Sequence, residues 1–183
     1  MRFKTLDRED ILDDLLPISA IQDHLRLYDP AEDTALEGYR TAAVSAAEMI
    51  MNRAVCLSTI QASFENWKAR VQLPFGDMNS ITTISAFNGT ENVEIETTLY
   101  RANKVTSELI LDAALSGYSD FIITMTVGYP TAVDVPRAII QGMLQLIATW
   151  YENREDIANG ISAVEIPYSH RYCFELYRIP AGS

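Results

Sequence analysis

What this sequence lacks narrows its function before any motif is considered. It holds no apolar run near the roughly 20 residues that a membrane-spanning helix needs. Only two cysteines are present, Cys56 and Cys173, and they form no CxxC pair. Their separation favours two buried thiols in a reducing compartment over a disulfide. Besides them there are only two histidines, His24 and His170, which gives a zinc site almost no support. Basic residues are scarce too: 14 Lys and Arg stand against 25 Asp and Glu, a formal net charge of −11. They form no basic stripe, so a conventional nucleic-acid-binding domain is disfavoured; phosphate backbones are held by clustered cations.

The signatures of catalysis are missing as well. There is no GxSxG, no phosphate-cradling GxxxxGK[ST] and no GxGxxG. Glu94 and Glu96 fall on the wet side of an expected hairpin. Asp112, Asp120 and Asp134 fall at element ends, where capping accounts for them. A paired acid/base site needs one carboxylate in an apolar setting, and the sequence marks none. His24 and His170 read as surface or half-buried polar residues. No catalytic, cofactor-binding or metal-binding residue is assigned, and the chain is read as not an enzyme. Residues 1–14 are acidic towards their end and lack an apolar h-region, so no secretory signal is expected. The chain is expected to fold in a cytoplasm, or in a particle assembled there.

What is present describes an ordinary globular chain of 183 residues, 48% hydrophobic and 21% charged. That length suits one domain burying about two thirds of its unfolded surface. Ser19 and Gln22 have capping-box spacing ahead of a short helix with Ile21 and Leu25 on one face, ending near Tyr28. Asp29-Pro30 opens a second helix, with Glu32 and Asp33 complementing its dipole. Leu36, Tyr39, Ala43, Ala46, Ile50 and Ala54 then recur at helical steps for about six turns. Glu37, Arg40, Glu48 and Arg53 fall mostly on the opposite face.

After Cys56 the period becomes two. Segments 57–64, 68–73, 81–87, 93–96, 108–111 and 121–127 read as short strands of a small antiparallel sheet. Asn88-Gly89 signals a tight hairpin between two of them, because such a turn needs positive φ at its central residues. Asp134 is placed to cap the next helix, with Pro136 in its first turn. The broad apolar face of that helix includes Ile139, Ile140, Met143, Leu144, Ile147 and Tyr151, and Leu144 is taken as a core position. Trp67 and Trp150 read as packing residues, Trp150 alternatively as an interface anchor; Met49 and Met51 read as core or interface. A last short helix is expected between Tyr168 and Tyr177. The fold class is α+β: a helical core of three to four helices and tail (17–56 and 133–180) with a β-rich insertion (57–128), in a single domain.

One stretch carries a recognisable pattern: Gly128-Tyr129, then Val135-Pro136, then an apolar helix ending in Trp150-Tyr151-Glu152-Asn153-Arg154-Glu155. It resembles the head–tail connector (adaptor) family of long-tailed bacteriophages and of related prophage and gene-transfer particles. Ser19–Leu25 and Asp29–Glu37 resemble that family's opening helix pair. Asn52-Arg53-Ala54 stands where the family often has Thr-Gly-Arg-Ala, with Asn52 in place of the glycine. Leu73-Pro74 and Ile81–Ile84 resemble the strand insertion of larger members, and Pro167 to Ile179 their tail. The likeness covers residues 17–180; residues 1–16 have no counterpart.

The resemblance implies a structural virion protein. It would be a ring of about twelve subunits below the portal, monomeric or not when free. DNA would pass through the ring without sequence-specific binding, and tail or stopper proteins would attach to it. Glu152, Arg154 and Glu155, where both charge signs crowd one helix end, and Arg53 are candidates for the subunit interface. Tyr168, Arg171, Tyr172, Phe174, Tyr177, Arg178 and Ile179 are candidates for portal docking, being the aromatic and arginine types enriched at binding hot spots. The competing reading of that tail is a last helix folded back on the core with Phe174 and Tyr177 buried. Competing functions are another neck or tail-completion ring protein and, in a different class, a small enzyme or ligand-binding domain.

Overall fold

The computed structural model describes residues 2–9, 11–76, 78–104, 106–153 and 169–179. In chain order the elements are β1 (Arg2–Arg8), α1 (Leu12–Leu15), α2 (Ile18–Leu25), α3 (Asp33–Met51), β2 (Ser58–Asn66), β3 (Arg70–Gln72), β4 (Met78–Phe87), β5 (Asn92–Glu94), β6 (Tyr100–Asn103), β7 (Glu108–Leu111), β8 (Ser119–Val127), α4 (Arg137–Glu152) and α5 (Ser169–Glu175). The class is mixed α+β. The chain divides into two compact units: Met1–Glu9 with Asn52–Pro130 and Ile179–Ser183, and Asp10–Met51 with Thr131–Arg178.

The first unit is built of strands. Instead of one small sheet there are two, a five-stranded one in the order β1-β2-β8-β4-β5 and a three-stranded one in the order β3-β7-β6. All their ladders are antiparallel. Strict alternation along β8 buries Phe121, Ile123, Met125 and Val127 on one face, as a period of two requires. These residues share one apolar cluster with Ile60, Ala62, Ile84 and Ala86 of the larger sheet and with Val71, Leu109 and Leu111 of the smaller. Phe64 stacks on Phe121 with centroids 5.0 Å apart.

The β4–β5 hairpin falls where Asn88-Gly89 predicts it, but its loop has four residues, because Phe87 pairs with Asn92. Asn88 Oδ1 accepts from the amides of Thr90 and Glu91, both at 2.9 Å. Only Gly89 carries the positive φ, at +96°. A side-chain turn has replaced the two-residue one.

The second unit is helical. Its α3 stripe is Leu36, Arg40, Ala43, Val44, Ala47 and Met51, which puts Arg40 on the buried face rather than the wet one. Its Nη1 donates to Asp13 Oδ1 at 2.6 Å and to the Leu16 carbonyl at 3.4 Å. A pairing so remote in sequence leaves no local periodic trace. Asp29 caps the 3-10 turn Pro30–Glu32 that leads into α3, accepting from the Ala31 amide at 3.0 Å. Ser19, by contrast, lies inside α2, whose N-cap is Pro17. Asp134 does not cap α4 either; its carboxylate accepts from the Thr131 amide at 3.1 Å within a separate 3-10 turn, and Pro136 holds the N-cap position.

Helix α4 buries Ile139, Gly142, Met143, Leu146 and Ile147, while Leu144 is only half-buried. The stripe is rotated from the expected centre because Gly142 meets α5. A Cβ at Gly142 would stand 2.7 Å from the Phe174 ring and 3.0 Å from Cys173 Cβ. The missing side chain is what lets the two helices approach.

Candidate interaction surfaces

Helix α5 is short and two-faced. His170 and Phe174 are buried, and Cys173 is half-buried beside them. Tyr172 and Leu176, one turn apart, stand out at 68% and 60% exposure. Arg171 is exposed next to them, its Nε donating to Glu175 Oε1 at 2.9 Å. Inward residues at 170, 174 and 177 and outward ones at 172 and 176 follow the helical repeat. The imidazole of His170 lies 6.2 Å from the Phe174 ring between centroids. Burial, and then the positive charge of Arg171, lower the His170 pKa below its ordinary value.

The seven tail positions proposed for docking therefore occupy different environments. Arg171, Tyr172 and Arg178 are exposed, Tyr177 and Ile179 half-buried, and Phe174 is inside; Tyr168 lies outside the described residues. Within the strand unit, the Ile179 side chain covers Gly76, where any Cβ would collide with its Cδ1. The Ile179 carbonyl accepts from Asn52 Nδ2 at 3.4 Å. Asn52 takes a left-handed conformation, φ +50°, which asparagine tolerates better than most residues. That accounts physically for an asparagine at a position where a glycine is expected.

The residues proposed for the subunit interface separate too. Glu152 ends α4 and is exposed; Arg154 and Glu155 lie outside the described residues. Arg53 is half-buried, with Nη1 donating to the Tyr129 hydroxyl at 3.1 Å and the guanidinium 5.9 Å from that ring's centroid. Tyr129, which the sequence marks as part of the Gly128-Tyr129 motif, is thus a cation–π partner.

Sequence reasoning missed β1. All seven of its residues are exposed, and it pairs only with β2 at the edge of the large sheet. Phe3 makes an edge-on contact with Phe75, 4.8 Å between centroids. The signal available was the basic and apolar alternation of Arg2-Phe3-Lys4, too brief to mark a strand alone. An open groove beside β1 is lined in part by Arg2, Ser63, Glu65, Lys68 and Asp120, with charges of both signs. Among the described residues no group of three or more His, Cys, Asp or Glu could hold a metal ion. None of their helices is long and apolar enough to cross a membrane.

No family model and no curated protein matches the chain significantly. Solved structures do. A chain in the neck of an empty gene transfer agent particle, computed with C6 symmetry, matches with a TM-score of 0.75 at 21% identity, over 100% of this chain and 98% of that one. A chain in the virion of the native gene transfer agent particle gives 0.76 at 21% identity, with the same coverage. One in the neck of the native particle, computed with C12 symmetry, gives 0.74 at 20% identity, again over 100% and 98%. At this identity the likeness shows a shared fold, extending over the whole of both chains.

Proposed function

We propose that this chain is a ring-forming structural subunit in the neck of a tailed-phage-like particle. More specifically, we read it as the head–tail connector docked below the portal. The observation that carries this reading is the end-to-end fold match to chains from gene transfer agent particles, two of them from necks. The motif order from Gly128-Tyr129 through Trp150 to Glu155 supports it independently. In this reading the helices form the core of each wedge, and the strands are an insertion between α3 and α4 extended by β1. About twelve copies surround a channel. At −11 per copy, the ring carries on the order of a hundred negative charges, which repel phosphate and let DNA slide without sticking. The protein works without catalysis or cofactor, at the virion neck and, during assembly, in the host cytoplasm.

The exposed residues Arg171, Tyr172, Leu176 and Arg178 are the portal-facing surface in this account, with Phe174 seating α5 on the helical unit. Glu152, Arg154 and Glu155 meet a neighbouring subunit, and tail or stopper proteins attach below. The fold match bears equally on another neck or tail-completion ring, so the test must locate the contact. Purified protein is mixed with purified portal rings encoded in the same genome and sedimented. Co-sedimentation of a defined ring supports the connector; binding to the tail complex and not to portal supports the other neck position.

A further inference from the structure

The two edges of the five-stranded sheet carry opposite charge. At one edge β1 presents Arg2 and Lys4 among seven exposed residues, with Asp7 its one acidic side chain and Arg8 donating within the chain to Cys56 Sγ at 3.4 Å. Phe3 and Leu6 stand out of the same strand at 56% and 49% exposure. At the other edge β5 and its flanks present Glu91, Glu94 and Glu96, all exposed, with Val93 half-buried among them. Each edge strand has one neighbour in the sheet, β2 for β1 and β4 for β5. An edge of this kind offers backbone donors and acceptors to an added strand.

We propose that β1 of one copy lies along the β5 edge of the next, a head-to-tail contact that repeats around the ring. This inference rests on the ring-subunit reading and names one of its contacts. A second copy is the fitting occupant because the molecule carries both halves, basic and acidic, at opposite ends of one sheet. A copy that uses β1 on one neighbour leaves its own β5 edge for another. Such a heterologous contact closes when the rotation per step divides a full turn.

Charge also selects against the alternative of two β1 strands pairing, which would set Arg2 and Lys4 against their own kind. Strand direction fixes the geometry further. The ladders β1–β2, β2–β8, β8–β4 and β4–β5 are all antiparallel. Four reversals leave β1 and β5 running the same way, so a sheet continued from copy to copy joins them as a parallel pair. Subunits of net charge −11 repel at long range, and a local basic-on-acidic contact offsets that repulsion where they meet.

The test uses particles produced from the genome that encodes this chain, carrying Lys4→Cys with Glu94→Cys in a Cys173→Ser background. Isolated necks are oxidised and run on non-reducing gels. The expected result is a ladder of covalent multimers, with Lys4→Cys alone and Glu94→Cys alone staying monomeric. The subunit present in necks without a ladder, or Lys4→Cys alone giving dimers, overturns the contact and leaves the ring reading standing. Absence of the wild-type chain from particles removes the ring reading itself, and the contact with it. A second arm covers a cysteine variant that fails to assemble. Arg2→Glu with Lys4→Glu should lower neck occupancy by about tenfold or more, and adding Glu91→Lys with Glu94→Lys should restore it. Unchanged occupancy in the first variant, or no rescue in the second, overturns the proposal.

Discussion

Met143 and Leu144 are adjacent in α4, yet one residue step turns a helix by roughly 100°. Met143 is fully buried and Leu144 half-buried. Met143→Ala should therefore cost about 2–5 kcal/mol, the range for opening a cavity in a packed core. Leu144→Ala should cost clearly less, because water already reaches its side chain; paired denaturant titrations check the order. The apolar run of this helix is plain in the sequence, but both residues sit in it. What separates them is Gly142, and a glycine carries no periodic signal of its own. Arg40 shows the same limit, since Asp13 and the Leu16 carbonyl accept its guanidinium across a long stretch of chain.

His170 adds a pH dependence at the same scale. Its folded pKa lies below the ordinary value of 6.5 because burial, and secondarily Arg171, disfavour the imidazolium. Below pH 6.5 the unfolded chain binds this proton more readily than the folded one does. The stability contributed by neutral His170 is thus present above pH 6.5 and lost as pH falls through that value towards the folded pKa. Melting curves at pH 7.5 and 5.5 should show a larger drop for wild type than for His170→Gln. An equal drop in both would remove His170 from the account.

At the scale of elements, strands with a strongly buried face are legible, while β1 and β6, which bury no residue fully, are not. Alternation predicts β8 closely and β7 fully, since one side of each must be apolar to reach the shared core. Strand β1 buries no side chain, so only the brief alternation of Arg2-Phe3-Lys4 separates it from a polar loop. The division into two sheets is equally silent, because strand partners are chosen by packing across the chain.

The sequence left two readings of the tail open, and the burial of its residues divides between inward and outward positions. Phe174 is buried at home while Tyr172 and Leu176 face outwards. Deleting residues 168–183 should therefore lower the melting temperature of the protein, as loss of a buried phenylalanine alone costs about 3–5 kcal/mol. Tyr172→Ala with Leu176→Ala should leave the melt nearly unchanged and weaken co-sedimentation with portal rings. Full portal binding by that double variant would take the docking role away from this face.

For the molecule as a whole, the acidic charge and scattered basic residues disfavour a conventional nucleic-acid-binding domain without choosing a function. The motif run from Gly128 to Glu155 resembles the connector family, and the full-length fold match is to chains of gene transfer agent particles. The geometry of the proposed ring is not encoded in the periodicity of a single chain, because it depends on surfaces that meet only between copies. The proposed contacts, exposed α5 on the portal and β1 against β5 between neighbours, are claims about those surfaces. Cryo-electron microscopy of the neck in particles made from the encoding genome tests the central claim most directly. The account predicts one ring of this subunit below the portal, fitted by the strand unit and the helical unit described here. A resolved neck in which no density accepts this fold would contradict it.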